Sequence, residues 1–371
     1  MDRNPVLIVA ASGRALAASA RRGGYLPLVA DFFVDQDTLA VAAATRRLAS
    51  GLACGMVADE VIEALEGLAR ARDPIGVVCG AGFEDRTELV VEIARRWPLI
   101  GNAPAVIARV KDPVELEALC SACGIAHPEI SLTRPQDPDG WLRKRRGGAG
   151  GHHVSADLAV EPGAETYFQR RVRGTSVSAA VLASGNRARV LGLSAQWTAP
   201  SAQQPFRYGG AVTPALLSPG LTATLHAIVH RVAAAVPLVG LNSIDFLLAD
   251  ETVWLLEINP RPGATFDIFE PAEGSLFALH VNACRGMLPA PAPRRTGAAA
   301  CATVYAAHDV PCVPRLTWPD WASDRPHAGT AVKADEPLCT VMALGASAEA
   351  ARTLVAARSD AILVAFREKA A

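Results

Sequence analysis

The chain reads as an α/β protein of the α+β kind, with an open parallel sheet in its N-terminal part and antiparallel sheet beyond. Three observations predict this. Short apolar runs alternate with amphipathic stretches up to about residue 105, the pattern of parallel βαβ units. After residue 135, extended stretches follow one another, as antiparallel strands do. One pair of these, 244–248 and 253–258, is separated only by Ala249-Asp250-Glu251-Thr252, which reads as a hairpin turn.

In order, Val-Leu-Ile-Val-Ala within 5–10 is a buried strand that runs through Ser12-Gly13-Arg14 into a helix over 15–22. A second strand follows at 26–30. Residues 38–49 are rich in Ala and Arg and predict a helix. Val61, Ile62, Leu65 and Leu68 mark one face of a helix over 59–72. Residues 75–79 form another buried strand, and 105–123 are helical with a break at Lys111-Asp112-Pro113. Strands are expected at 141–144, 167–172, 176–182 and 189–196, and a helix at 221–236. A Pro/Ala linker at 289–293 leads to apolar stretches at 302–305 and 337–343 and to a helix over 347–357. The expected division is 1–105 as the α/β domain, 106–175 as a central lid subdomain, 176–290 as an antiparallel-sheet domain, and 291–371 as an extension packed on the core.

Half of the 371 residues are hydrophobic, enough for a sizeable core. The 36 basic and 37 acidic residues leave a net charge of −1, so no nucleic-acid partner is indicated. The basic run Arg143-Lys144-Arg145-Arg146 is a local exception. Among eight cysteines only Cys120 and Cys123 form a C-x-x-C pair, with neither a second pair nor nearby histidines to complete a zinc site, so a helix face is the plain reading. No apolar run of membrane-spanning length and no leader pattern occurs. The reading is a reduced, soluble, cytoplasmic protein without a membrane partner, a homodimer being open.

The strongest chemical signal is acidic. Asp245 lies on one strand, and Glu257 and Asn259 lie two apart on the next, pointing to one face. If the strands pair, three oxygen-bearing side chains converge, the hard ligand set that Mg2+ or Mn2+ takes together with phosphate oxygens. Arg261 follows Glu257 by four residues and could hold a transferring phosphoryl group. A second signal is Lys144 followed by Gly147, Gly148, Gly150 and Gly151, a loop whose backbone could close over phosphates. It is not the Walker pattern, because the lysine precedes the glycines. Lys144 should face away from Arg143 and Arg145 on its strand. The neighbours His152 and His153 read as polar loop residues. Third, the strand carrying Gln169, Arg170, Arg171 and Val172 passes into Gly174-Thr175-Ser176, where backbone groups could meet the edge of an adenine ring.

With these motifs the chain, over roughly residues 1–290, resembles the ATP-grasp superfamily of carboxylate–amine ligases. The resemblance implies an ATP-grasp fold. It implies Lys111 and Lys144 on ATP phosphates, and Gln169 through Val172, with Ser176 nearby, along the adenine pocket. It implies Asp245, Glu257 and Asn259 on the metal. An acidic residue is usual near positions 170 and 171, and both are Arg here, which puts those nucleotide contacts in question. The implied reaction phosphorylates a carboxylate with ATP, and an amine then attacks the acyl phosphate to give an amide, ADP and phosphate.

Asn259-Pro-Arg-Pro-Gly-Ala-Thr-Phe-Asp-Ile-Phe-Glu270, the opening Ala-Ala-Ser-Gly-Arg-Ala-Leu-Ala-Ala-Ser-Ala and the tail Pro319-Asp-Trp321 with Asp324-Arg-Pro326 are similar to ligases of one-carbon cofactor synthesis, tyramine–glutamate ligases among them. On that resemblance the small-molecule partners are glutamate and tyramine. Arg207 and Tyr208 are candidates near the acceptor side, Asp267 could attract an ammonium group, and Phe266 and Phe269 could line an aromatic slot or pack the core. The rivals are another amino-acid or cofactor ligase, a carboxylase or kinase-like member, and a non-catalytic ATP-binding module. A dinucleotide-binding dehydrogenase would need G-x-G-x-x-G after the first strand, and residues 10–14 lack it.

Overall fold

The computed structural model describes residues 4–159, 163, 165–290 and 297–370. Pro291, Ala292 and Pro293 of the expected linker lie outside the described residues.

Three sheets organise the chain. The first holds β1 (Pro5–Val9), β2 (Leu26–Asp31), β3 (Ala44–Arg47) and β4 (Val77–Cys79), all parallel, in the order β3-β2-β1-β4. β1 and β2 are buried on both faces, as expected for strands sandwiched by helices. Helix Ala58–Ala69 covers one face through Val61, Ile62, Leu65 and Leu68. Helix Arg14–Arg22 covers the other through Leu16, Ala17 and Ala20.

The helix expected over 38–49 is corrected by the structure. Helix Gln36–Val41 stops early, and Ala44–Arg47 pairs in parallel with β2. The alanines favour helix only by tenths of a kcal/mol per residue, less than the pairing and packing available at the open edge of β2.

The second sheet contains β5 (Ile130–Ser131), β6 (Trp141–Arg145), β7 (Val154–Ser155) and β8 (Thr166–Arg170), in the order β5-β8-β6-β7. The glycine-rich segment lies between β6 and β7. The third sheet is the largest. It comprises β9 (Thr175–Gly185), β10 (Arg187–Thr198), β11 (Tyr208–Thr213), β12 (Leu238–Ala249), β13 (Thr252–Asn259), β14 (Ala298–Tyr305), β15 (Ala322–Ser323) and β16 (Pro337–Gly345). Their order is β13-β12-β9-β10-β11-β14-β16-β15, and every pairing is antiparallel. The last three strands extend this same sheet, and helix Ala348–Ala370 packs on β14 and β16. Helix Pro219–Ala235 covers β9 and β10 and buries Leu225, Ile228, Val229 and Val232.

The break at Lys111-Asp112-Pro113 is real. Helix Pro104–Lys111 ends there, and Asp112 caps helix Pro113–Ala122 by accepting from Val114 N and Glu115 N. Cys120, on that second helix, and Cys123, at its C-cap, are free thiols. Among the described residues no helix is long and apolar enough to cross a membrane.

Candidate functional site

The β12–β13 hairpin builds the centre of the site. Its turn is Asp250-Glu251, and Asp250 takes a positive φ of 46°. Asp245 stands directly opposite Glu257, and Ser243 opposite Asn259. Asn259 Nδ2 donates to Asp245 Oδ2 at 2.9 Å and to Glu257 Oε1 at 3.0 Å. Its Oδ1 accepts from Lys111 Nζ at 2.6 Å, and Lys111 also lies 3.7 Å from Glu257. Lys111 is the last residue of helix Pro104–Lys111, so the helix break places this ammonium group over the hairpin.

Two buried carboxylates on facing strand positions repel each other. Burial and the neighbouring Glu257 push the Asp245 carboxyl up to about 7. Burial also opposes ionisation of Glu257, yet Lys111, His153 and Lys144 hold it well below the usual range. Asp245 Oδ1 is buried without a hydrogen-bond partner. An orphaned carboxylate oxygen beside a second carboxylate fits a divalent cation. Asp245, Glu257 and Asn259 would hold it, and ligation through Asn259 Oδ1 requires Lys111 to release that oxygen. Among the described residues no group of three His, Cys, Asp or Glu side chains is placed to hold a metal. The remaining ligands would therefore come from phosphate and water.

β6 and β8 bring the second lysine. Leu142 and Lys144 face inward, while Arg145 is exposed, as the strand alternation predicts. Lys144 Nζ donates to Gln169 Oε1 at 2.6 Å, and Gln169 Nε2 lies 3.4 Å from His127 Nε2. Burial draws the Lys144 ammonium down, as does Lys111, against the pull of Glu257 and Asp245. Arg170 and Arg171 point elsewhere, over the rings of Trp141 and Phe206. Their backbone N–H groups bond Glu129 O and Gly140 O. Val172 follows directly after Arg171, and Ser176 Oγ donates to Gln196 Oε1 at 3.2 Å.

The glycine loop is folded down. A Cβ at Gly151 would lie 1.9 Å from Phe206 O, and its φ is +77°, so both space and backbone demand glycine. At Gly148 a Cβ would strike the ring of His153 at 2.1 Å. Gly147 and Gly150 also take positive φ, and Gly150 O accepts from Tyr208 N. The histidine pair divides its tasks. His152 is exposed and bonds Gln204 at 2.6 Å. His153 is half-buried within electrostatic reach of Glu257, Lys144 and Lys111, and burial pushes its imidazole down to about 4. The sequence pattern of a polar loop carries no signal that separates the two.

Arg261 donates through Nε to Glu84 Oε1 at 2.7 Å. Glu84, in the loop after β4, also accepts from Gly82 N and Phe83 N. Asn102 ties this corner together: it bonds Asn242, Pro260 O and both backbone groups of Val239. Neither Glu84 nor Asn102 belongs to a motif, so sequence reasoning missed both.

Arg207 and Asp267 have ion-pair partners of their own, and Tyr208 lies within electrostatic reach of Asp245. Arg207 is buried, bonds Ala199 O and Asp335, and stacks 3.7 Å over Tyr305. Tyr208 places its hydroxyl 3.8 Å from Cys301 Sγ. Asp267 forms a two-bond pair with Arg14, at 2.7 and 2.6 Å. Phe266 and Phe269 are buried in the core shared by the first and third sheets.

A paired-carboxylate hairpin in a large antiparallel sheet, a glycine-loop sheet and a parallel N-terminal sheet together make the ATP-grasp fold. Residues 115–265 match the ATP-grasp domain family. Solved structures agree on the fold. One is the biotin carboxylase domain of the Hydrogenobacter thermophilus 2-oxoglutarate carboxylase with MgADP and bicarbonate (TM-score 0.71, 11% identity, 92% of this chain and 86% of that one). Another is an L-amino acid ligase from Bacillus licheniformis (TM-score 0.70, 14% identity, 97% and 98%). A third is an N5-carboxyaminoimidazole synthase from Aspergillus clavatus with ADP and its ribonucleotide (TM-score 0.70, 15% identity, 97% and 99%). No curated protein sequence is a significant match.

Proposed function

We propose that this chain is an ATP-dependent carboxylate–amine ligase that forms an amide through an acyl phosphate. The observation that carries the reading is the Asp245–Glu257 pair, bridged by Asn259 and faced by Lys111, with Lys144 buried on the adjoining sheet. Such a site gathers positive charge around transferring phosphate, as phosphoryl activation of a carboxylate requires. Magnesium held by Asp245, Glu257 and Asn259 would neutralise phosphate charge. Lys111 and Lys144 orient the phosphates, and Arg261, steadied by Glu84, supports the phosphoryl group in flight. Gly147, Gly148, Gly150 and Gly151 cover the phosphates and exclude water from the acyl phosphate. Gln169 through Val172 and Ser176 border the adenine. On this reading 1–105 is the N-terminal α/β domain, 106–175 the central and lid subdomain, 176–290 the catalytic subdomain and 291–371 a C-terminal extension.

The finer reading takes glutamate as the acid and tyramine as the amine, with Arg207, Tyr208 and Asp267 on the acceptor side. The test is ADP release from ATP–Mg2+ across a panel of acids and amines, beginning with that pair. Release that requires both an acid and an amine, with an amide product by mass spectrometry, supports the ligase. Dependence on bicarbonate would replace it with a carboxylase, and ATP binding without turnover across the panel would replace it with a non-catalytic module.

A further inference from the structure

The loop between β10 and β11, with Tyr208 at its end, meets the glycine loop at three points. Gly150 O accepts from Tyr208 N at 2.9 Å. His152 Nδ1 lies 2.6 Å from Gln204 Oε1. Gly151 lies so close to Phe206 O that a methyl group there would collide with it. The β10–β11 loop is itself folded. Ala199 N donates to Arg207 O at 2.8 Å, and Arg207 Nε donates back to Ala199 O at 2.9 Å, which closes its base. Gln204 N donates to Ser201 Oγ at 3.2 Å.

The brace on this loop comes from the C-terminal segment. Asp335, just before β16, accepts from Arg207 Nη1 at 2.9 Å through Oδ1 and from Ser201 Oγ at 3.2 Å through Oδ2. Its main-chain O accepts from the same Arg207 nitrogen at 3.1 Å. One residue therefore grips the loop near both ends. Tyr305 adds to the grip: its ring lies under the Arg207 guanidinium, and its hydroxyl donates to Tyr208 O at 2.8 Å. A contact between charged groups on a buried arginine is among the stronger hydrogen bonds. The glycine loop has no such stiffness of its own, because glycine loses the most backbone freedom when it is fixed. Yet it rests over the site, with His153 within electrostatic reach of Glu257, Lys144 and Lys111.

We propose that the β10–β11 loop, braced by Asp335, is the catch that holds the glycine loop down, with Gln204 and Asp335 as positioning residues. The chemical consequence rests on the ligase reading: a loop held down lets the amine, and not water, attack the acyl phosphate, so that amide rather than free acid is released with the phosphate. The holding of the loop does not rest on that reading. The catch gives the chain beyond residue 300 a task at the phosphate site, which it reaches through Arg207 and Ser201 rather than by touching the hairpin carboxylates.

Amide hydrogen exchange on the full-length protein reads the catch directly, because Tyr208 N–H is one of its bonds. Gln204→Ala removes the His152 contact and leaves the Arg207–Asp335 pair intact. Asp335→Asn removes the charge, and Asn tolerates the φ of +68° at this position. In both variants the Tyr208 amide and peptides covering 147–155 should exchange about tenfold faster, while peptides from β9 and β12 keep the parent's rates. Gln204→Glu, which restores an acceptor for His152, should return the parent's exchange. With an acid and amine that support turnover, the variants should at least about double the ADP formed per amide. If Asp335→Asn loosens the whole fold, Gln204→Ala is read in its place. Three results would overturn the catch: parental exchange in the glycine loop of Gln204→Ala, equal acceleration in β9 and β12 of that variant, or an unchanged ratio of ADP to amide in a loosened variant. Local loosening in a protein that forms no ADP with any acid and amine would sink the ligase reading and leave the catch standing.

Discussion

Arg261 Nε lies 2.7 Å from Glu84 Oε1, a contact that links the end of β13 to the loop after β4 across 177 residues of sequence. Against the cost of burial, Arg261 and Lys111 hold the Glu84 carboxylate below its usual range. In the proposed reaction Glu84 aims the guanidinium that supports the phosphoryl group. Glu84→Gln keeps the shape and deletes the charge. It should lower kcat about tenfold to a hundredfold while the KM for ATP moves far less. Steady-state kinetics and a melting curve check this; equal losses in kcat/KM and stability would mean that Glu84 only holds the fold together.

Removing the carboxylates proposed to hold magnesium should separate binding from turnover. Glu257→Ala should cut acid- and amine-dependent ADP formation by about two orders of magnitude or more, and extra magnesium should not restore it. Asp245→Asn removes a buried charge that Glu257 repels, so this variant should melt no lower than the parent in the absence of magnesium while losing activity. A variant of Glu257 with undiminished ATP turnover would remove the metal assignment.

Gly151→Ala tests the lid. The added methyl meets Phe206 O and the backbone sits at φ +77°, so the loop cannot rest as it does here. Amide formation should fall about tenfold or more, and the ratio of ADP to amide should rise as water reaches the acyl phosphate. A melting curve separates loss of this loop contact from loss of the fold. Product and ADP measured on the same samples decide it.

Asp35 sets a pH dependence of stability. Its folded value of about 8 stands above the ordinary 3.8 because of burial first and neighbouring carboxylates second. Between these values the folded chain keeps a proton that the unfolded chain has released, so stability falls as pH rises from about 4 to 8. At about 1.4 kcal/mol per unit, the upper bound is several kcal/mol. Asp35→Asn should therefore gain on the parent with rising pH and match it near pH 4. Denaturant midpoints across that range are the measurement; parallel curves for the two proteins would refute it.

Arg207 offers a contrast between anchoring and recognition. Its guanidinium stacks on Tyr305 and pairs with Asp335, joining the start of β11 to the C-terminal strands. Arg207→Lys should cost about 1–3 kcal/mol of stability. If Arg207 also meets the acceptor, the KM for the amine or acid rises as well; a stability loss with unchanged KM assigns it to anchoring alone.

Local residue pattern by itself determined the parallel N-terminal strands, the break at Lys111-Asp112-Pro113 and the hairpin with Asp245, Glu257 and Asn259 on one face. These follow from short-range rules: apolar runs, proline geometry and the two-residue strand period. The inward side of Lys144 was legible for the same reason. Tertiary structure decided the rest. Ala44–Arg47 became a strand because β2 offered an open edge, which no propensity records. His153 parted from His152 because the loop folds back on Gly148. Glu84 met Arg261, and Asp324 met Arg14, because the first and third sheets pack through a shared core that brings distant loops together. Such pairings depend on where distant segments are brought in space, and burial then sets their charge, so the partners cannot be read along the chain.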